Sequence, residues 1–487
     1  MMPLFHHEVL AVLVVGSLAA VCSAAPAPPA VPLGHRDYMP TPTRPLGWRG
    51  DGTGLFIGAT CPTNWDEKAG ARVLWRTPVP FGHCSPIVFG GKVFITGDNA
   101  TLTGKSFHNY RITQDASHGA LLCLDADNGR ILWRHDCELV PSDRDIDAHN
   151  WESYWSSSYP TPVSDGSIVC AHYPGGAAVA CDINGKRLWT TPLPRYTNHA
   201  TSSPILFPGK FVFYQVRKSA AATQLAASQP VAKLKAFATA LDTANGRLLW
   251  ETPLADIPGP SNSICGSMVR MTVDGLELAI TASGDILRAS DGVVLVPGAV
   301  RYGGNTPVAL GNRLYITQGT LSVMAYDLSR QGENGIKRTL AWRTEVKTPV
   351  RAEEETAGFG DWYPSRVYAS MLVSDGKVHL VGSIGELMVL DAATGKQIDT
   401  IRRFPNDYKK FHARRSSWRE YYVGPMRTAN LVVLGCNSGV FAFDPAAPMK
   451  DVLCSIVPDW WSSCPFFHGD RVYLRTMKEV ICIGPAK

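Results

Sequence analysis

The sequence predicts an all-β protein, an eight-bladed β-propeller of four-stranded antiparallel blades whose last blade is closed by an N-terminal strand. Three observations carry this expectation. A strand–turn–strand pattern led by a small or polar residue recurs eight times between Cys84 and Arg475. A second hairpin, turning on Asp or Asn near a Gly, alternates with it and often ends in Trp. The final copy lacks a strand that stands instead at the start of the array.

The first hairpin opens at Cys84-Ser85-Pro86, continues through Ile87-Val88-Phe89, turns at Gly90-Gly91 and returns as Lys92 to Thr96. It recurs at Thr161-Pro162-Val163, Ser203-Pro204-Ile205, Ser267-Met268-Val269 and Thr306-Pro307-Val308. Further copies begin at Ser370-Met371-Leu372, Pro425-Met426 and Cys464-Pro465-Phe466. The second hairpin is clearest from Leu124-Asp125 through Asn128-Gly129-Arg130 to Ile131-Leu132-Trp133. It returns as Asp182 to Trp189 and Asp242 to Trp250, and in weaker form as Met388 to Ile398. Asp or Asn near Gly supplies the positive φ that a tight hairpin turn requires. Val480-Ile481-Cys482-Ile483 reads as a third strand without a fourth, and Arg72-Val73-Leu74-Trp75-Arg76 as a fourth strand without a third. A ring closed by exchanging a strand between its ends predicts this phase, at about 52 residues per repeat. An open array of sandwiches gives no reason to divide one repeat.

Composition agrees with this architecture. Only 18% of the 487 residues are charged, against about 25% in an average soluble protein. Glycine (44) and proline (35) are abundant, and 9% of residues are aromatic. The chain is too apolar for disorder, lacks the G-X-Y period of collagen and is too poor in Glu, Lys and Arg for a coiled coil. A net charge of +5 argues against a dedicated nucleic-acid binder.

Residues 1–24 read as a signal peptide. Val9 to Val21 form its apolar stretch, and Cys22-Ser23-Ala24 places small residues before a cut, although the leading segment offers His6 and His7 and no Lys or Arg. An exported protein, periplasmic or extracellular, is expected, with membrane association only if Cys22 carries a lipid. Residues 25–47 are rich in Pro and Ala and read as an extended linker before a domain spanning 48–487. Twelve cysteines, one of them in the leader, leave an odd number in the mature chain, and no CxxC occurs. If Gly175-Gly176 were a two-residue hairpin loop, Cys170 would lie opposite Cys181 and a disulfide could form; two buried small hydrophobes are the alternative.

The Leu-Asp-x-x-x-Gly-Arg-Leu-Leu-Trp pattern resembles the PQQ-like (pyrroloquinoline quinone) propeller repeat of quinoprotein alcohol dehydrogenases and of BamB-like exported bacterial propellers. Gly47-Trp48-Arg49-Gly50-Asp51-Gly52-x-Gly54 also resembles the start of such propellers. The resemblance implies that the motif Trp docks between neighbouring blades, at Trp75, Trp133, Trp189, Trp250 and Trp342. Three repeats lack it, near Leu295, Thr400 and Leu453. The resemblance is specific for fold and poor for function, because one propeller hosts many activities.

Strand direction alternates within a blade, so fourth-to-first connections and second-to-third loops share one face. Long insertions from Asp98 to His118 and from Arg217 to Ala236 fall there, while Leu328 to Lys337 falls on the opposite face. The fourth-to-first connections hold aromatic and polar residues that should converge on the channel mouth: His83, Trp151, Trp155, Tyr196, His199, Arg301, Asn305, Trp362, Arg366, Trp418, Tyr421 and Trp460. Aromatic walls with a few fixed polar groups suit a small-molecule pocket, and Trp and Tyr also anchor protein interfaces. The bland alternative is a self-satisfied plug of loop-bonding polar groups. Residues 402–419 form a basic connection on the same face, and Glu353-Glu354-Glu355 reads as a solvated tip.

A quinoprotein dehydrogenase needs PQQ, a calcium ion held by hard oxygens, and a carboxylate base. Trp151, Trp155 and Trp362 could stack, and Asn150, Glu152 and Asp361 could ligate, but no motif ties them together. The adjacent-cysteine disulfide of classical members has no counterpart, since no Cys-Cys dipeptide occurs, and no HExxH, P-loop or GxSxG is present. The expectation is therefore a monomeric, non-catalytic propeller with no catalytic or metal residues, binding a protein partner or small ligand at the mouth. The alternative is a PQQ- and calcium-dependent dehydrogenase of an alcohol or sugar.

Overall fold

The computed structural model describes residues 31–66, 72–103, 111–114, 116–139, 160–174, 176–194, 202–218, 234–257, 266–298, 305–318, 322–346, 369–382, 386–403, 423–436, 439–448, 450–457 and 463–485. Eight four-stranded antiparallel blades form a ring, an eight-bladed β-propeller. Blade 1 comprises Ile87–Phe89, Lys92–Asp98, His118–Asp125 and Ile131–Glu138. Blade 2 is Val163–Ser164, Ile168–Tyr173, Ala177–Asp182 and Arg187–Pro192, and blade 3 is Ile205–Phe207, Lys210–Lys218, Leu234–Asp242 and Leu248–Ile257. Blade 4 is Val269–Val273, Leu276–Ile280, Ile286–Arg288 and Val294–Val296, and blade 5 is Val308–Leu310, Arg313–Gln318, Ser322–Gln331 and Gly335–Glu345. Blade 6 is Leu372–Ser374, Lys377–Val381, Glu386–Asp391 and Gln397–Arg403; blade 7 is Val423–Thr428, Val432–Cys436, Gly439–Phe443 and Asp451–Ile456. Blade 8 takes Phe466–His468, Arg471–Arg475 and Glu479–Ile483 from the C-terminal end and its fourth strand, Val73–Pro78, from the other. Val73 pairs with Ile483 and Pro78 with Glu479.

Burial follows position in the blade. Third strands are covered on both faces by neighbouring blades and bury consecutive residues, as at Leu121, Leu122, Cys123 and Leu124. Fourth strands form the outer edge and alternate; in Arg187–Pro192 only Trp189 is buried. Pro78 and Pro192 at the ends of two of these edge strands, and Pro253 within a third, remove a ladder donor from an exposed edge.

The recurrent tryptophan clasps adjacent blades. Trp75 Nε1 of blade 8 donates to Ala126 O of blade 1 at 3.1 Å. Trp133 reaches Ile183 O of blade 2 at 3.4 Å, Trp189 reaches Thr243 O of blade 3 at 2.8 Å and Trp250 reaches Ala289 O of blade 4 at 3.3 Å. Trp342 of blade 5 completes the set on Ala392 O of blade 6 at 3.1 Å. Two residues on, Thr77, Thr191, Thr252 and Thr344 donate to the carbonyls of Gly129, Gly246, Gly292 and Gly395 at 2.6–2.8 Å. In blade 1, His135 Nε2 takes this role on Gly185 O. The receiving glycine is required twice over at Gly246. Its φ is +73°, and a Cβ there would stand 2.6 Å from Trp189 Cε3.

Two expectations change. The loop after Tyr173 spans three residues, because Tyr173 pairs with Ala177. The register therefore sets Cys170 opposite Ala180 and Cys181 opposite Val169; both thiols are free and buried in different apolar clusters. A one-residue slip moves a side chain to the other face of the sheet. The Pro/Ala-rich stretch 25–47 is not wholly a linker: residues from Pro32 onward belong to the propeller's compact unit, and Leu33, Tyr38 and Leu46 are buried. The insertion after Asp98 carries a small hairpin, Thr101–Thr103 with Arg111–Gln114, and the one after Leu328 extends the outer hairpin of blade 5 to the pair Gln331–Gly335.

Candidate functional site

The first strands of the blades are the innermost, and residues 32–66 run as a strap along one face of the ring. This strap crosses the first-to-second turns. Gly469 N–H donates to Gly34 O at 2.7 Å, Thr60 N–H to Gly469 O at 2.8 Å and Ala429 N–H to Ala59 O at 2.8 Å. Leu46 pairs with Ser164 of blade 2, and Leu55-Phe56 adds a parallel strand to Val423–Thr428 of blade 7. Trp48 packs near Leu206, Met268 and Val269 of blades 3 and 4. A polar cleft of about 260 Å³ remains between the strap and blades 4 and 5, lined by Tyr38, Arg44, Asp51, Thr53, Arg270 and Gly311.

Above the strap runs a belt of hydroxyl groups, one residue before the Pro or Met that leads each first strand. Ser85 N–H donates to Thr161 Oγ1, Thr161 N–H to Ser203 Oγ and Ser203 N–H to Ser267 Oγ, each at 3.0 Å. Ser267 N–H donates to Thr306 Oγ1 and Cys464 N–H to Ser85 Oγ, both at 2.7 Å. The small or polar residue that opens six of the repeats, at Ser85, Thr161, Ser203, Ser267, Thr306 and Cys464, is thus a cross-blade tie. A second tier uses the carbonyl one residue earlier. Thr96 Oγ1 donates to Pro160 O and His172 Nε2 to Ser202 O at 3.0 Å; Asn305 Nδ2 donates to Ala369 O at 3.3 Å. Burial drives the His172 imidazole down to about 3, so it is neutral, and its ring stacks on Phe213 with centroids 4.7 Å apart.

In blade 7 the belt position is Gly424, and Arg49 of the strap fills the gap. Its Nη1 donates to Ser370 O at 3.1 Å and its Nη2 to Pro425 O at 2.7 Å, joining blades 6 and 7. The side chain is 1% exposed, and its backbone holds the left-handed φ of +53°. Burial lowers the guanidinium to about 10, which leaves it charged at neutral pH. Cys464, the belt residue of blade 8, is pushed up to about 11 by burial, with Arg49 pulling the other way.

Toward the mouth, a second buried arginine ties blade 8 to blade 1. Arg475 Nη2 donates to Pro80 O at 2.8 Å and Thr96 O at 3.3 Å, and Ser463 Oγ donates to Arg475 O at 2.5 Å. Burial lowers this guanidinium from its ordinary range, with Cys84 and Asp98 opposing. Asp285 of blade 4 is held by its own loop: Thr281 Oγ1 and Ser283 Oγ donate to Oδ2 at 2.8 and 2.5 Å, and Gly298 N–H donates to Oδ1 at 2.7 Å.

Of the sequence-predicted mouth residues, His83 and Asn305 are described. His83 is buried, its ring edge-on to Phe81 at 5.1 Å. Asn305 is a cross-blade tie, as given above. Trp151, Trp155, Tyr196, His199, Arg301, Trp362, Arg366, Trp418, Tyr421 and Trp460 lie outside the described residues, as do Asn150, Glu152, Asp361 and Glu353 to Glu355. In the basic connection, Arg402 and Arg403 extend the fourth strand of blade 6, and 404–419 lie outside the described residues. Among the described residues, no three His, Cys, Asp or Glu side chains form a metal-binding group. Asp285 has its carboxylate oxygens committed to these donors, and the oxygen ligands that the sequence offers for a PQQ-bound calcium, Asn150, Glu152 and Asp361, are not among the described residues. Arg49, Arg475 and His172 were not singled out from sequence as joining parts. Arg49 sits in the quoted opening motif, but its partners lie 321 and 376 residues away.

A family profile described as "Outer membrane protein assembly factor BamB" matches residues 63–234 and 235–447, more than half of the chain. Among solved structures, BamB from Moraxella catarrhalis is similar at 12% identity, covering 83% of this chain and 100% of that one, with a TM-score of 0.46. Quinohemoprotein alcohol dehydrogenase ADHIIG from Pseudomonas putida HK5 is similar at 14% identity, covering 92% and 81%, with a TM-score of 0.44. The computationally designed Ika8 protein is similar at 12% identity, covering 85% and 100%, with a TM-score of 0.46. These likenesses concern fold alone. No curated protein matches the chain.

Proposed function

The chain belongs to the BamB-like family of PQQ-like propellers, and from that premise we propose that it is an exported, non-catalytic binding module whose partner docks at the loop-rich channel mouth. The observation that carries this reading is the commitment of the described channel groups to the ring. Ser85, Thr161, Ser203, Ser267 and Thr306 accept from neighbouring backbones, while Thr96, His172 and Asn305 donate to them. Groups so engaged hold neighbouring blades together, a structural role. The strap occupies the first-to-second turns of the opposite face, which supports the mouth as the docking face. The family description, an assembly factor, supports a protein as the partner, and the leader sequence supports export.

Photo-crosslinking residues placed at Trp155 and Trp418 on the mouth and at Asp37 on the strap test the reading in cells. Specific protein adducts from the mouth positions and none from Asp37 are expected. Adducts from Asp37 alone, or from no position, overturn it. Calorimetric titration with PQQ and calcium is the second test. Saturable binding accompanied by dye-linked alcohol or sugar oxidation would replace this reading with a dehydrogenase.

A further inference from the structure

The clasping tryptophan is missing from three of the eight junctions, those leaving blades 4, 6 and 7. At each of them the structure supplies something else. Between blades 4 and 5, the lengthened outer hairpin of blade 5 reaches back. Arg330 Nη1 donates to Asp274 O at 2.6 Å, Arg338 Nη1 donates to Gly284 O at 3.1 Å, and Leu328 and Ile336 join the apolar cluster of blade 4. The junctions from 6 to 7 and from 7 to 8 receive the strap.

Its bonds are concentrated there. Arg49 joins Ser370 O of blade 6 to Pro425 O of blade 7. Gly54 O accepts from Arg427 N–H at 2.9 Å, and Cys61 exchanges two hydrogen bonds with the Asn430 amide at 2.9 and 3.0 Å. Thr60 and Gly34 hold Gly469 of blade 8. Phe56 is packed edge-on against Phe466 and Phe467 of blade 8, with centroids at 5.0 and 5.4 Å, while Leu55 packs on the cluster shared by blades 6 and 7. A direct tie between blades 6 and 7, Arg427 Nε to Asp375 Oδ2 at 3.3 Å, involves a carboxylate that is 64% exposed and so holds little. The belt is interrupted in the same sector by Gly424, and the Arg49 guanidinium stands in the space: a Cβ on Gly424 would lie 2.6 Å from Arg49 Nη1.

We propose that residues 32–66 are a lock that ties blades 6, 7 and 8 in place of the tryptophan clasp, with Arg49 as its central contact. Releasing the lock loosens that sector, while the clasped sector of blades 1–3 stays closed. The ring thus has a built-in seam, and its position is set by which blades lost their Trp.

Amide hydrogen exchange on the full chain tests this, with Arg49→Lys beside the unaltered protein. Lysine keeps the charge and the stem but bridges two carbonyls poorly. Loss of a charge-assisted bond predicts about tenfold or greater acceleration in 423–436, 439–448 and 463–485. Residues 163–192 and 205–218 should be unchanged. Equal acceleration in both sectors, or none in either, overturns the proposal. If Arg49→Lys fails to fold, exchange of the unaltered protein in sub-denaturing urea gives the answer. The amides of Thr60, Arg427, Ala429 and Gly469 should open as one unit with the rest of blades 7 and 8. Strap amides that open alone, with blades 7 and 8 as protected as blades 2 and 3, also overturn it.

Discussion

A Cβ on Gly424 would lie 2.0 Å from the Ser370 carbonyl oxygen and 2.6 Å from Arg49 Nη1, so it would collide with both the bridging guanidinium and the carbonyl it bridges. One residue lacks a side chain where the backbone of blade 6 and a guanidinium from 375 positions earlier in the chain come together. Gly424→Ala should therefore destabilise the protein by roughly 1–3 kcal/mol through overpacking. Chemical denaturation reads this as a lowered midpoint; an unchanged midpoint would mean that the gap is roomier than it stands here.

The clasp predicts graded losses at Trp189. Trp189→Phe keeps much of the ring contact and removes the donor to Thr243 O, costing about 1 kcal/mol. Trp189→Ala also empties the space between blades 2 and 3 and should cost roughly 3–5 kcal/mol. Equal effects of the two substitutions in equilibrium unfolding would show that the hydrogen bond, and not the packing, holds the junction.

Stability should fall with acid through His172. Its folded value is lowered to about 3, against an ordinary value of 6.5, so the unfolded chain takes up the proton first. The contribution is intact above about pH 6.5 and declines as pH falls toward 3. Near pH 4.5 the loss is on the order of a few kcal/mol. His379 and His468, each lowered to about 4 chiefly by burial, act in the same direction. Thermal unfolding from pH 7 to 4.5 should show the decline, and His172→Gln should flatten part of it; a parallel curve for the variant would remove His172 from the account.

Cys170 and Cys181 should be present as thiols and inert in the folded protein. Burial raises Cys170 well above the ordinary thiol range and Cys181 to about 12, so neither offers thiolate at neutral pH. Alkylation should leave both unmodified in buffer and modify both in guanidinium without reductant. A mass two hydrogens lower, localised to a peptide pair containing both, would restore the disulfide.

The ring was legible because its signals are local. The clasping Trp stands four residues after the turn Gly in three blades, Gly129 to Trp133, Gly185 to Trp189 and Gly246 to Trp250, so pairing and docking repeat with the motif. The divided blade followed from phase alone. The cysteine register failed by one residue, since Pro174-Gly175-Gly176 can be read as a loop of two or three. The strap was misjudged for a different reason. Its Pro-rich composition describes an extended chain, and Leu33, Tyr38 and Leu46 are buried only because distant blades supply the other surface. The mouth is less visible from either side. Its residues sit in long connections whose spacing carries no period, and of those named only His83 and Asn305 could be placed, the latter as a structural tie.

The divided eighth blade has a consequence for how the protein is made. Val73–Pro78 leaves the ribosome long before its partner strand Glu479–Ile483, with seven blades in between. The strap before it likewise waits for blades 6–8. A nascent chain can stack blades in order, but throughout synthesis it carries an unpaired strand at one end and an unfinished blade at the other. Such long-range pairing is slow and leaves strand edges exposed to other chains. Closure is a single late event, and a chain truncated before Glu479 should remain an open, aggregation-prone arc instead of a smaller ring.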